Sequence, residues 1–287
     1  MLVVTGATGN TGSIVLRKLM ARQPHREVIA FVRSSSQTAF LRELGVTVHV
    51  CDLQRPESYL SVVPPDATFL EIANLRHAQA MLPHLRKAGI SRAYCVTTTA
   101  VFSNYHSYGV LYRQIEAELL QSGVPTTLLR PSMIYGNERD ANMHKLIRVL
   151  RHAPAFPVFG PGTALMQPVF VDDLAEGIVE AVIRGVYGEY NLAGPVPLSY
   201  RTLLQTTMEA IGRRIPLINL EHRLAATIAR GLQRLPGFPV KHEQVMRLME
   251  DKAFDISAAQ RDIAYQPRPF ADGIAEEALR LREIGWI

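Results

Sequence analysis

Residues 2–12 read LVVTGATGNTG, and this stretch decides the fold. An apolar run typical of a buried strand enters a turn with glycines at positions 6, 9 and 12, and a helical pattern follows. Gly6 permits the tight turn, Gly9 lets the backbone approach a pyrophosphate, and Gly12 lets helix and strand pack closely. An ordinary glycine turn is the simpler interpretation. The position between strand and helix favours a dinucleotide site, with phosphate bound at the helix N-terminus.

Short apolar runs alternate with longer helical patterns through the first half of the chain. The runs lack the polar alternation of half-exposed strands, so we expect a parallel sheet covered on both faces, with right-handed crossovers. Such a chain belongs to the α/β class, as a Rossmann doubly wound parallel sheet with its ligand crevice at the carboxyl ends of the strands. The predicted strands are residues 2–4, 28–32, 46–50, 68–72, 93–96 and 126–129, and the predicted helices include residues 13–22 and 78–88.

The rhythm changes after about Tyr135, where prolines and glycines mark loops. We expect a smaller C-terminal α/β lobe there, which would cover the crevice and hold the substrate. A helix over residues 172–183 and a strand over 189–192 should return to the main sheet. Further helices are predicted near residues 200–211, 223–233 and 243–250. The predicted division is a dinucleotide-binding Rossmann core of residues 1–135 and 167–192, and a substrate lobe of residues 136–166 and 193–287.

Composition and charge narrow the classes of ligand. Hydrophobic residues make up 47% of the chain, and the net charge of +5 is spread without a Lys/Arg tract, so we expect a small-molecule substrate and no nucleic acid. No apolar run approaches the roughly 18 to 20 residues of a membrane span, and no secretory signal pattern is present. A cytoplasmic protein with no membrane span is therefore expected. The sequence makes no prediction of oligomeric state.

A metal site is not expected. The histidines show neither a His-x-x-x-His pair nor a carboxylate at metal-ligand spacing. Asp172 and Asp173 precede a predicted helix, where aspartate caps backbone N–H groups and interacts favourably with the helix dipole. The motifs of serine hydrolases and P-loop proteins are missing from the sequence as well.

The second predicted strand ends in Arg33, where an NAD-selective site places an acidic residue on the ribose 2′-hydroxyl. A guanidinium can bind a 2′-phosphate through two hydrogen bonds, and the serines from Ser34 onward add donors. We therefore expect NADP(H) to be preferred, with NAD(H) as an alternative. A strand-ending arginine in solvent is the simpler interpretation. Asp52 and Leu53, after the third strand, are expected to face the adenine.

Taken together, these segments resemble the short-chain dehydrogenase/reductase superfamily, on the side of its extended and atypical NAD-dependent epimerase/dehydratase-like group, with NmrA-like relatives. The resemblance implies an NAD(P)-dependent oxidoreductase that reduces a small organic or nucleotide-sugar-like substrate. A non-catalytic NAD(P)-binding redox sensor or assembly factor is the alternative. The motifs that carry the resemblance are TGATGNTG (5–12), VTTTAVF (96–102), LLRPSMIYG (128–136), QPVFVDDLAEGI (167–178) and YNLAGPVPLSYRTLL (190–204).

The same resemblance implies two catalytic residues. Thr98 takes the position of the Ser or Thr that orients the substrate carbonyl, with Thr97 and Thr99 as competitors. A β-branched residue that only packs in its strand is an equal alternative for Thr98. Tyr108 takes the position of the Tyr that gives or takes the proton.

One residue departs from the family pattern. The family Lys, four residues beyond the Tyr, is replaced here by Tyr112. Arg113 is adjacent, but a helix turns it by about 100° onto another face. Without an ammonium group, the Tyr108 pKa should stay near its ordinary value of about 10, so Tyr108 is a better proton donor than base. This favours reduction over a cycle that begins with oxidation.

Two sets of binding residues complete the predicted site. The expected substrate-binding residues are Tyr135, Gln167 and Phe170, which alternatively pack the hinge between the lobes. The expected cofactor-binding residues are Gly6, Thr8, Gly9, Asn10, Thr11, Gly12, Arg33, Ser34, Asp52, Leu53, Thr97, Tyr108, Pro131 and Ile134.

Overall fold

The computed structural model describes residues 1–104, 107–140, 142–220 and 250–287, without the side chains of Ser107, Tyr108 and Phe159. Within these residues the strands are, in chain order, β1 (Leu2–Thr5), β2 (Val28–Val32), β3 (Thr47–Val50), β4 (Thr68–Glu71), β5 (Arg92–Val96), β6 (Thr126–Pro131), β7 (Ile134–Tyr135), β8 (Phe156–Phe159), β9 (Leu165–Met166), β10 (Val169–Phe170), β11 (Glu189–Leu192), β12 (Leu198–Ser199) and β13 (Leu217–Leu220).

The helices of the described residues alternate with the strands in the first half of the chain. They are α1 (Asn10–Arg22), α2 (Ala39–Glu43), α3 (Leu75–Lys87), α4 (Ser107–Leu120), α5 (Met143–His152), α6 (Val171–Arg184), α7 (Tyr200–Ala210), α8 (Ser257–Ile263) and α9 (Phe270–Glu283). Short 3₁₀ helices cover Pro56–Ser58, Leu60–Val62 and Thr99–Phe102.

Seven parallel strands form the central sheet, in the order β11-β6-β5-β4-β1-β2-β3. The chain builds one half outward from β1 to β3 and the other from β4 outward, so the strand order reverses between β1 and β4. This reversal opens a crevice at the carboxyl ends of those strands, as in doubly wound α/β proteins. The predicted α/β fold class is confirmed, and so are the predicted strands and the returning strand β11.

Helices cover both faces of the sheet because each has an apolar face at helical spacing. Helix α1 buries Val15, Leu16 and Leu19 against the sheet and α6, which confirms the predicted helix there. On the opposite face, α3 buries Leu82 and Leu85 beside α4. The two layers bury the sheet on both faces, and this explains why its strands lack polar alternation.

A third apolar cluster lies in the region where the smaller lobe was predicted. Helices α5, α7 and α9 contribute to this cluster together with the short strands β7 to β10. Strand β13 pairs in parallel with β8, and β12 pairs antiparallel with β9. Helix α6 returns from this region to the main sheet, as predicted.

One segment differs from the predicted division. Residues 193–287 were all assigned to the smaller lobe, whereas Ile256, Ala259, Ile263 and Tyr265 pack in the main core with α6 and β11. The physical reason is the apolar face of α8, which is buried on the outer side of α6. The predicted helices near residues 223–233 and 243–250 lie outside the described residues.

Two features are missing from the described part of the chain, namely a membrane-spanning helix and a metal-binding cluster. None of its helices has the length and apolar character needed to cross a membrane. None of its His, Cys, Asp and Glu side chains form a group of three placed to hold a metal ion. Three histidines, His106, His222 and His242, lie outside the described residues.

Candidate functional site

The glycine turn after β1 lies at the crevice, and two of its glycines are required by backbone packing. Gly6 has a φ of +70°, and a Cβ there would lie 2.6 Å from the backbone nitrogen of Ala73. A Cβ on Gly12 would overlap the carbonyl oxygen of Gly6. Gly9 is different, because it is exposed and its Cβ would meet the Gly6 oxygen at 3.1 Å. A side chain at Gly9 therefore makes a tight contact with the turn, but a much milder one than at Gly6 or Gly12.

Helix α1 begins at this turn with an open N-terminus. Its N-cap is Gly9, so no side chain caps the helix, and its first turn contains no acidic residue. Ser13 N donates the first helical hydrogen bond, to Gly9 O at 3.1 Å. The N–H groups of Asn10, Thr11 and Gly12 precede that bond and are the donors that a helix N-terminus offers to an anion. This donor set and the glycine cradle fit the pyrophosphate of a dinucleotide.

A buried carboxyl group, that of Glu71, joins the end of β1 to the segment after β4 at the crevice. Glu71, at the end of β4, accepts hydrogen bonds from Thr5 Oγ1 at 2.6 Å and from Asn74 N at 2.7 Å. Its side chain has no exposed surface, and this burial raises the pKa of Glu71 to about 7. Glu71 was not predicted from the sequence, although a carboxylate that ends an apolar strand is a signal of a buried polar contact.

The loop after β7 also touches the turn, and this contact was not predicted. Asn137 Nδ2 donates to Asn10 Oδ1 at 2.9 Å, and the Arg139 guanidinium donates to Thr8 O at 3.0 Å. Each contact joins residues more than 120 positions apart in sequence, and such a contact cannot be predicted from a local sequence pattern. Asn137 and Arg139 add two polar side chains to the predicted cofactor site.

The ends of β2 and β3 lie beside the turn at the same edge of the sheet. Arg33 is exposed, and no hydrogen bond or ion pair within the described residues involves its guanidinium. Ser34 is exposed next to it. Asp52 Oδ1 accepts a hydrogen bond from Gln54 N at 3.0 Å, while Leu53 packs partly against the core. Arg33 is therefore available to an anionic ligand, and the adenine role of Asp52 and Leu53 stays a prediction.

Of the three threonines after β5, Thr98 is the best placed for a role in the crevice. Its Oγ1 accepts a hydrogen bond from Ala100 N at 3.1 Å, which leaves its hydroxyl proton for another acceptor. Thr97 Oγ1 instead donates to Glu116 Oε1 at 2.6 Å. Thr99 is buried. Thr98 combines partial exposure with a fixed backbone, as a substrate-orienting hydroxyl requires.

Glu116 belongs to a buried ion-pair network below the threonines. Its carboxylate pairs with Arg130 at 2.7 Å, and Arg130 also pairs with Glu189 on β11. Glu116 and Arg130 are 5% and 8% exposed. The network fixes α4 against β5, β6 and β11.

Helix α4 carries the predicted proton donor in its first turn. The backbone of Tyr108 lies in this turn, and its side chain lies outside the described residues. Tyr112, at the position of the family Lys, packs against the core between the sheet and α3. Arg113 donates to the carbonyl oxygen of Val101, in the segment before α4. The position that a lysine occupies in the family is therefore filled by the partly buried ring of Tyr112.

The three residues predicted to bind substrate are buried. Tyr135, Gln167 and Phe170 are 1%, 3% and 2% exposed. Gln167 bonds the backbone of Gly194 at 2.7 Å and of Phe254 at 2.6 Å, and the Tyr135 ring contacts Phe170 edge-on. This arrangement fits the alternative interpretation, in which they pack the hinge.

Two residues of β6 and β7 complete the predicted cofactor set. Pro131 is buried at the end of β6, where β11 pairs with it. Ile134 is partly buried and packs on the main core. Both lie at the carboxyl edge of the sheet, and their contact with the nicotinamide stays a prediction.

Comparison with known proteins agrees with this geometry. Residues 6–150, about half of the chain, match the model of the NAD(P)H-binding family. A ketoreductase of Stigmatella aurantiaca, acting on 4-hydroxy-2-methyl-3-oxo-4-farnesyl-3,4-dihydroquinoline-1-oxide, is 25% identical over 92% of this chain and 91% of its own length. Quinone oxidoreductase 2 of Escherichia coli K12 is 27% identical over 65% of this chain and 61% of its own length.

Solved structures show the same fold. The UDP-glucose 4-epimerase of Thermotoga maritima, crystallised with UDP-glucose, superposes with a TM-score of 0.74. The superposition covers 99% of each chain, at 15% sequence identity. At that identity the likeness concerns the fold alone. The resemblance to the extended epimerase/dehydratase-like group is therefore confirmed for the fold, and the family model that matches is that of NAD(P)H-binding proteins.

Substitutions at Gly9 and Gly12 should separate cofactor binding from folding. Gly9→Val places a branched side chain in the phosphate path, and the stabilisation of the chain by NADPH should vanish while the melting temperature without ligand falls less than in Gly12→Ala. Gly12→Ala should lower the unliganded melting temperature, because its Cβ meets the Gly6 carbonyl. Thermal melts with and without NADPH measure both effects. Normal cofactor binding by Gly9→Val would show that the pyrophosphate lies elsewhere.

The raised pKa of Glu71 predicts a pH dependence of stability. Since the folded-state pKa is about 7 against a usual 4.5, the folded chain binds the extra proton and loses stability as pH rises through this window. The glutamine in Glu71→Gln does not titrate, so this variant lacks that loss of stability. As pH rises from about 4.5 to about 7, the free energy of unfolding of the parent should fall by on the order of 3 kcal/mol relative to that of the variant. Urea denaturation at several pH values measures the difference.

The control for this experiment is Glu209→Gln, which removes an exposed carboxylate from α7. It reports the effect of the changed net charge alone. A difference between Glu71→Gln and the parent that stays constant across the window would contradict the protonation of Glu71 there.

Proposed function

The chain belongs to the NAD(P)H-binding family, and from this premise we propose that it is an NADP(H)-preferring oxidoreductase. The proposed reaction is the reduction of a carbonyl or activated double bond in a small organic or nucleotide-sugar-like substrate. The observation that carries the proposal is the open N-terminus of α1 behind the glycine cradle. The ketoreductase and the quinone oxidoreductase among the relatives support hydride transfer to an oxidised organic group.

The proposed division of labour assigns each crevice residue one task. The first N–H groups of α1 hold the pyrophosphate, and Arg33 holds the 2′-phosphate. When bound, the nicotinamide supplies the hydride. The Thr98 hydroxyl donates a hydrogen bond to the substrate carbonyl oxygen and thereby orients it. Tyr108 donates its phenolic proton to that oxygen as the alcohol forms, and water returns the proton to Tyr108.

The position of Tyr112 supports the reductive direction. A lysine there would lower the pKa of Tyr108 and help it act as a base. Tyr112 brings no ammonium group and packs on the core instead. A neutral phenol is still a proton donor, and reduction of a carbonyl requires a donor.

The same observation favours a second candidate function. If proton transfer has been lost together with the family lysine, the chain binds NAD(P) without turnover and acts as a redox sensor or assembly factor. Cofactor binding is common to both candidates, so it does not distinguish them. Turnover of a panel of carbonyl compounds, quinones and nucleotide sugars, followed by nicotinamide absorbance, does. The cytoplasmic location also stays a prediction.

Cofactor preference should depend on Arg33. We expect the parent to bind NADPH about tenfold or more tightly than NADH, because a charge-assisted contact to a 2′-phosphate contributes about 1.5 to 3 kcal/mol. Arg33→Ala should remove most of this preference and leave NADH affinity nearly unchanged. Calorimetric titration of both cofactors measures it. Arg42→Ala, an exposed arginine of α2, is the control, and equal affinities in the parent would exclude the 2′-phosphate role.

Proton donation should depend on Tyr108. With a substrate that turns over, Tyr108→Phe should lower the reduction rate by about 10² to 10⁴, the scale of general acid catalysis, with NADPH affinity nearly unchanged. Tyr112→Lys should place a cation one helical turn away and shift the pH–rate profile of the parent to lower pH.

Tyr187→Phe is a matched control, since Tyr187 is 63% exposed and far along the chain from the crevice. A reduction rate that survives Tyr108→Phe would assign the proton to water or to another donor. NADPH binding without turnover of any panel substrate, in both the parent and Tyr112→Lys, would favour the sensor.

A further inference from the structure

We propose that Arg139 binds the pyrophosphate of the dinucleotide, as a cationic clamp that faces the N-terminus of α1. The proposal deepens the function proposed above and rests on it. Arg139 lies outside the glycine turn, in the loop that follows β7, and was not among the residues predicted from the sequence. It would add a side-chain contact to a phosphate site otherwise built from backbone N–H groups.

The first argument is position. The guanidinium of Arg139 donates to Thr8 O at 3.0 Å, so it lies on the turn itself, one residue before the N-cap of α1. Its neighbour Asn137 bonds Asn10, the first residue of the helix. A cavity of about 630 Å³ opens beside these groups, where Asn10, Asn137 and Arg139 line the end next to the turn. Its remaining charged lining residues are the cations Arg17, Lys18 and Arg280 and the carboxylates Asp172, Glu276 and Glu283. The side chain thus has open space next to the phosphate-binding end of the helix.

The second argument is that the loop is held firmly. Gly136 N donates to the buried carboxyl group of Glu277 at 3.0 Å, and Arg139 N donates to Asn137 Oδ1 at 2.9 Å. Asp140, also buried, accepts from the backbone N–H groups that follow it, at 2.6 and 2.8 Å. The backbone of Arg139 is therefore fixed before any ligand arrives, which reduces the entropy lost on binding.

The third argument is electrostatic. A cation at the N-terminus of a helix is disfavoured by the helix dipole, and α1 has no acidic residue in its first turn to offset it. No ion pair within the described residues involves Arg139. Its neighbour Glu138 makes two hydrogen bonds with Arg280, of 2.6 and 3.0 Å, and these lower the pKa of Glu138, which the charge of Arg139 lowers further without an ion-pair contact. Lys18, on α1 itself, pairs with two carboxylates of α6, those of Asp172 and Glu176.

An anion between Arg139 and α1 would remove this conflict. A pyrophosphate carries negative charge to the helix N–H groups on one side and to the guanidinium on the other, and both contacts are favourable. A guanidinium has five N–H donors, and the contact with Thr8 uses one of them. The remaining donors can serve phosphate oxygens without loss of that contact.

Calorimetric titration of the full chain with NADPH, NADH and inorganic pyrophosphate tests the proposal. Arg139→Met removes the charge and keeps much of the length, and it should weaken the binding of all three ligands by about tenfold, the scale of one charge-assisted contact. NADPH and NADH should lose affinity equally, because the pyrophosphate is common to both. Arg139→Lys should retain part of the affinity. Arg151→Met, at an exposed position of α5, is the control and should change nothing.

The outcomes are distinct. Unchanged affinities in Arg139→Met would overturn the proposal. Weaker NADPH binding accompanied by a lower unliganded melting temperature, with pyrophosphate affinity unchanged, would also overturn it, because Arg139 would then only brace the turn. A parent that binds neither NADPH nor NADH would contradict the proposed function itself, whatever Arg139 does.

Discussion

At Gly6 two backbone segments approach so closely that no side chain fits between them. A Cβ on Gly6 would meet the backbone of Ala73, and a Cβ on Gly12 would meet the Gly6 carbonyl. This contact sets the direction in which α1 leaves the sheet and aims its first N–H groups into the crevice. Glu71, at the end of β4, stabilises this contact because it accepts hydrogen bonds from Thr5 of β1 and from Asn74, which follows β4. The phosphate end of the site therefore depends on backbone packing more than on any one polar side chain.

The other end of the crevice is held by charge. Arg130 joins Glu116 of α4 to Glu189 of β11, and Thr97 bonds the same Glu116. Burying such a pair is costly unless its hydrogen bonds are satisfied, and here several are made. Because the network joins the later turns of α4 to Thr97, β6 and β11, it holds this helix against the sheet. Thr98, the residue proposed to orient the substrate, follows Thr97 directly and so lies next to this network.

Local patterns in the sequence were sufficient to predict the sheet, its covering helices and the glycine turn. Apolar runs mark the strands, and backbone packing leaves no room for a side chain at Gly6 or Gly12. Contacts between distant segments could not be predicted in this way. Glu71 was missed because its partners depend on which strands are neighbours, and Arg139 because it reaches the turn from a loop more than 120 residues away. Resemblance to a family does not give the direction of a side chain either. Gln167, predicted to bind substrate, is buried and bonds two backbone segments instead.

The two halves of the site respond differently to sequence change. Dinucleotide binding rests mainly on backbone N–H groups and on glycines, so most substitutions elsewhere leave it intact. Proton transfer rests on the pKa of one side chain, which a single neighbouring charge can shift. Replacement of the family lysine by Tyr112 therefore affects the second half and spares the first. Under the function proposed above, a chain with this combination keeps its affinity for the cofactor, and its chemistry is restricted to the direction in which a neutral donor suffices. Binding and turnover are for this reason separate properties of the same crevice.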